Sequence, residues 1–167
     1  MKKHLGIGLA LLALAVLILA AAYFLTRATL RHPAGFSIQY PRFWQVVYQD
    51  DVRVNIAAPK GLEMGPRDGI KVKVYPNPQG SKPDTWYDKD AENIPECDLF
   101  VPLDPLIVAS KRMDTLNGQP CLVVVTTSND LFQYVAGGRQ MFEISTELHG
   151  TRPRQEALAT VASFRLR

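Results

Sequence analysis

Residues 116–125 read Leu-Asn-Gly-Gln-Pro-Cys-Leu-Val-Val-Val, and this stretch decides the fold class. Asn117-Gly118 is a strong two-residue hairpin signal. It predicts that a strand at roughly 106–116 turns back on the one that follows. Cys121 to Val125 is apolar at every position, which reads as a central strand covered on both faces. Gly137-Gly138 joins a second pair in the same way, a strand near 131–136 and one at 139–148, with Phe142, Ile144, Thr146 and Leu148 on one face.

Upstream the pattern is strict alternation. Phe36, Ile38 and Tyr40 alternate with Ser37 and Gln39 until Pro41. Val52, Val54 and Ile56 alternate with Arg53 and Asn55, and Ile70, Val72 and Val74 with Lys71 and Lys73. Each is a period-two strand with one face buried and one in water. Helices are fewer. Residues 83–93 suit a short acidic one. Residues 152–163 suit a clearer one, with Thr151 as cap, Pro153 in the first turn, and Leu158, Val161 and Ala162 on one side. These elements predict an α+β domain, a central antiparallel sheet of about six strands with helices on its faces.

The stretch Gly35-Phe-Ser-Ile-Gln-Tyr-Pro-Arg-Phe-Trp44 resembles the opening of PsbP-like domains: a strand, a Tyr-Pro stop, then a buried Trp. The Leu116–Pro120 hairpin and the ending Ala162-Ser-Phe-Arg-Leu166 are similar to that family's second half. The resemblance covers about residues 34–166. It implies the fold of the extrinsic photosystem II subunit, of many bacterial envelope lipoproteins and of a Ran-binding nuclear protein. It also implies action by protein–protein contact, with no shared catalytic residue to carry over. The chain departs from the pattern at 83–105, which is short and acidic where a longer amphipathic helix is usual.

Ahead of this domain, Leu5 to Leu25 run without a charged side chain. A helix of that length is about 31 Å long, enough for a hydrocarbon core of about 30 Å. The expected organisation is a cytoplasmic tail (1–4), a transmembrane signal anchor (5–25), a linker (26–33) and an extracytoplasmic domain (34–167). The alternative for 5–25 is a signal peptide cleaved near Ala20-Ala21-Ala22. The chain carries 19 Lys+Arg and 16 Asp+Glu. Lys2, Lys3, Arg27 and Arg31 flank the apolar run without an acid, so 15 basic and 16 acidic residues are left for the domain. That balance argues against nucleic acid as a partner. The expected partners are the lipid bilayer and another envelope or membrane protein.

The chemistry-bearing residues are sparse. Asp88, Asp90 and Glu92 have the 1-3-5 spacing of a calcium loop, but Asn93 and Leu99 stand where Gly and Glu are required. The stretch from Asp84 to Asp104 therefore reads as a solvated acidic loop. Cys97 and Cys121 either form a disulfide in an oxidising compartment or are a loop thiol and a buried apolar residue. His4, His32 and His149 lie far apart in sequence, and neither a nucleophile elbow nor a P-loop is present. No catalytic, metal or cofactor residue is predicted, and no enzyme. Trp44 is expected under the sheet, while Trp86 and Tyr87 either pack a short helix onto the sheet or are the candidate partner-binding pair. The expected function is a membrane-anchored extracytoplasmic accessory domain. The alternatives are a calcium- or manganese-binding protein, a photosynthetic assembly protein, or an enzyme with a dispersed site.

Overall fold

A computed structural model of the chain describes residues 12–22, 26–58, 69–91, 107–147 and 151–167. Residues 12–22 form helix α1. Five strands follow: β1 (Arg27–His32), β2 (Phe36–Pro41), β3 (Gln45–Gln49), β4 (Arg53–Ala57) and β5 (Gly69–Pro76). Helix α2 (Pro83–Thr85) runs on into a π-helical turn, Trp86–Asp90. Next come β6 (Val108–Leu116), β7 (Gln119–Thr126), β8 (Leu131–Gly137), β9 (Gln140–Glu147), helix α3 (Thr151–Val161) and β10 (Arg165–Leu166).

The strands form two sheets. Seven are ordered β3-β4-β5-β9-β8-β7-β6, and three are ordered β1-β2-β10. All strand pairs are antiparallel. The 116–125 stretch behaves as its sequence demands. Asn117 and Gly118 take φ of 54° and 80°, the left-handed pair that a two-residue hairpin needs. Strand β7 then sends Cys121 and Val123 into one hydrophobic cluster and Leu122 and Val124 into another.

The larger cluster fills the space between the two sheets and α3. It contains Phe36, Ile38, Trp44, Val54, Ile56, Val72, Phe142, Ile144, Val161 and Phe164. Phe36 is its hinge pin. The ring stacks on His32 at 4.6 Å and on Phe164 at 5.3 Å, and meets the edge of Phe142 at 5.7 Å. The smaller cluster covers the other face of the seven-stranded sheet beneath α2 and the π turn.

Three elements differ from expectation. Residues 26–33, read as a linker, contain β1. Leu30 and His32 turn inward opposite Ile38 and Phe36 while Thr29 and Arg31 face out, so one large apolar residue and a buried imidazole suffice for the strand. Strand β3 and the two-residue β10 add to the about six strands expected. Strand β3 is one edge of its sheet and carries a bulge, where Val47 is the extra residue between Val46 and Tyr48. The opposite edge, β6, shifts register between Val108 and Ser110 and bears Lys111, Arg112 and Asp114.

The described part of the expected membrane span is α1. All its residues are exposed, including Leu12, Leu14, Val16, Leu17, Ile18 and Leu19. Eleven helical residues extend about 16 Å. No helix among the described residues is long and apolar enough to cross a membrane. Residues 5–11 and 23–25 of the expected span lie outside the described residues.

Candidate functional site

Alternation along β9 places Glu143 on the side of the sheet away from Phe142 and Ile144, where a strand of this kind would ordinarily meet water. It does not meet water here: Glu143 is 6% exposed. Its neighbours in register are Lys73 on β5 and Tyr134 on β8. Lys73 Nζ lies 3.7 Å from one carboxyl oxygen, and the Tyr75 hydroxyl donates to the other at 3.3 Å. The Tyr134 phenol, directly across from Glu143 on β8, interacts with the same carboxyl.

The lid over this group is aromatic. Trp86 is fully buried, 5.5 Å from Tyr75 and 6.3 Å from Tyr134 by ring centroids, and its indole N–H donates to the Pro76 carbonyl at 3.0 Å. Tyr87 meets Tyr134 edge-on at 5.0 Å. Outside the lid, Lys111 pairs with Asp88, with Nζ at 2.7 Å from Oδ2, and sits over the Tyr87 ring at 5.4 Å. Cation, ring and carboxylate thus tie the π turn to β6 across the sheet.

Burial pushes the Glu143 carboxyl above its ordinary 4.5, against the opposing pull of Lys73 and the two phenols. The Tyr134 phenol is pushed up too, by burial first and by the Glu143 charge second. A buried carboxyl and two phenols thus meet the half-exposed ammonium of Lys73.

This has a measurable consequence. A carboxyl raised in the folded state binds its proton where the unfolded chain has already lost it. Its stabilising contribution is therefore complete below pH 4.5 and is lost as pH rises through the folded value. Urea denaturation of the wild type across pH 4–8 is expected to show this declining contribution, and Glu143→Gln to lack it. An identical pH profile for the two proteins would show that Glu143 has its ordinary titration.

The sequence-selected residues are distributed differently from expectation. Trp86 and Tyr87, selected as the possible partner-binding pair, are buried: Asp88 is exposed on the outer side of the π turn while the rings face the sheet. Trp44 is buried in the larger cluster, as expected. Cys121 is a buried free thiol, pushed by desolvation up to about 12. Cys97, Glu92, Glu96, Asp98, Asp104, His4 and His149 lie outside the described residues. Among the described residues no three His, Cys, Asp or Glu side chains converge as metal ligands would. His32 is no linker residue. Its Nε2 donates to the Asp50 carbonyl at 2.7 Å, because Nδ1 is engaged as acceptor by the Ala34 N–H at 3.2 Å.

An open hollow of about 430 Å³ lies where Gly35, Gly137, Gly138, Gln119, Gln140 and Leu166 meet. Gly137 is there for packing. A Cβ on it would stand 2.6 Å from the Phe142 ring and 3.1 Å from Leu166.

Comparison with solved structures now bears on the fold. The chain is similar to the cyanobacterial PsbP protein, CyanoP, from Synechocystis sp. PCC 6803. The TM-score is 0.54 over 85% of this chain and 93% of that one, at 10% sequence identity. The fold is PsbP-like. A protein from Bacteroides thetaiotaomicron VPI-5482 matches 83% of this chain at 17% identity with a TM-score of 0.42, and this chain spans about half (48%) of its length. No protein-family model matches the sequence, and no curated protein matches it. The PsbP-like domain here has two sheets and covers the Glu143 face with the short α2–π segment.

Proposed function

We propose that this chain is a membrane-anchored accessory protein whose PsbP-like domain lies outside the cytoplasm and works by binding another envelope or membrane protein, without catalysis. One observation carries the reading. Helix α1 is apolar and solvent-facing on every side, and Thr26, just ahead of β1, donates its backbone N–H to Ala22 at 3.0 Å. A helix that is apolar all round is at home in a buried or lipid environment, and this one leads directly into the domain. The fold likeness to a PsbP protein supports the accessory role.

Membrane fractionation of the full chain tests the reading. The wild type is expected to stay with membranes through an alkaline carbonate wash. Leu17→Arg places a charge at a cost of about 2.5–3.5 kcal/mol in mid-span and should move most of the protein to the soluble fraction. Wild-type protein in the wash would overturn the anchor. Crosslinking in intact membranes should then give a discrete heteromeric species, and a chain that crosslinks to nothing would overturn the accessory role. For topology, a reporter fused after Arg167 should be active only outside the cytoplasm.

A further inference from the structure

The outward face of the three-stranded sheet collects charge of one sign. Arg31 pairs in register with Ser37, and Arg165 pairs with the same Ser37 from the other side, so the two arginines flank it in one row across β1, β2 and β10. Arg27 faces the same way opposite Pro41, and Arg42 donates its backbone N–H to Thr26 beside it. Thr29 and Gln39 fill the space between, and Arg31, Arg42 and Arg165 are exposed. The Arg27 guanidinium is partly used on the carbonyls of Gln39 and Ala159, and one nitrogen of the Arg165 guanidinium on those of Ala162 and Phe164. Among the described residues none of these four arginines has an acidic partner, whereas Arg53, Lys73, Lys111 and Arg112 all do. Residues 26–167, which include all four arginines, balance 17 basic against 16 acidic residues. The positive charge on this face is therefore segregated, not merely abundant.

The second observation is what adjoins it. The apolar, exposed helix α1 is hydrogen-bonded to Thr26, the residue before β1. The basic face thus begins where the greasy segment ends.

We propose that the outward face of the β1-β2-β10 sheet lies on an anionic bilayer surface, with Arg31 and Arg165, and with them Arg27 and Arg42, against lipid phosphates. The proposal rests on the membrane-anchor reading. Guanidinium groups suit phosphate because their planar fork can donate two hydrogen bonds at once. Each basic side chain near such a surface adds to the attraction, and the effect fades within a Debye length of about 10 Å at 0.1 M salt. The three-stranded sheet then serves as a foot, and the seven-stranded sheet stands away from the lipid.

The test uses the full chain with Cys97→Ser and Thr29→Cys, reconstituted into vesicles of phosphatidylcholine alone or with 30 mol% phosphatidylglycerol (about a third anionic lipid). Reaction of the new thiol with a membrane-impermeant maleimide reads the contact. The rate is expected to fall about tenfold in the anionic vesicles and to recover in high salt. Arg31→Gln with Arg165→Gln should abolish the protection, and Arg31→Lys with Arg165→Lys should keep most of it. Equal rates in both vesicle types, with the chain resisting a carbonate wash, would overturn the lipid-facing foot while the anchor stands. A chain that washes out of both vesicle types would overturn the anchor and the foot together. A chain protected on anionic vesicles yet released by carbonate would support the foot and overturn the anchor.

Discussion

Replacing Trp86 by Ala is expected to cost the domain about 3–5 kcal/mol, read as a shift of the urea midpoint without loss of the denaturant slope. The side chain is fully buried between Tyr75 and Tyr134, so its removal leaves a cavity roofed only by a single π turn. It also strands the Pro76 carbonyl, which accepts the indole N–H at 3.0 Å. Trp86→Phe separates the two effects: it restores most of the packing and should cost about 1 kcal/mol for the lost hydrogen bond. A loss below about 1 kcal/mol for Trp86→Ala would return the ring to the surface and revive it as a partner contact.

Phe36→Ala is expected to match it at about 3–5 kcal/mol, by a different route. Phe36 touches His32, Phe142 and Phe164, and so joins the small sheet, the large sheet and the segment after α3 at one point. The two substitutions lie in separate clusters on opposite faces of the seven-stranded sheet. Their effects should therefore add to within about 0.5 kcal/mol. Marked non-additivity would mean that the sheet between them transmits a shift from one core to the other.

The central sheet was legible because its strands carry strong period-two or all-apolar signals and glycine-rich turns. Strands β4, β5, β7, β8 and β9 all fall on stretches read that way. The elements that escaped are short and held from outside. Strand β1 has Leu30 as its one large aliphatic side chain, and β10 is two residues pairing with Ser37 and Phe36. The Glu143 cluster escaped for a sharper reason. Alternation says which side of β9 a residue takes, and it put Glu143 correctly opposite Phe142 and Ile144. What alternation does not encode is whether the second side is covered. That depends on α2 and the π turn folding over it, and their acids advertised a solvated loop while Trp86 and Tyr87 supplied the cover. Those two rings were picked out as important, and they are; the importance is internal.

The two margins of the seven-stranded sheet end in unlike ways. Strand β6 shifts register only near its start, between Val108 and Ser110, and along the rest its ion-bearing side chains make the approach of another strand electrostatically costly. Strand β3, Gln-Val-Val-Tyr-Gln, has no charge at all; its guard is the kink at Val47. One margin is thus protected by chemistry, which salt weakens, and the other by shape, which salt leaves alone. A medium rich in ions would strip the first guard and spare the second, so uncontrolled growth of this sheet would start from the β6 side.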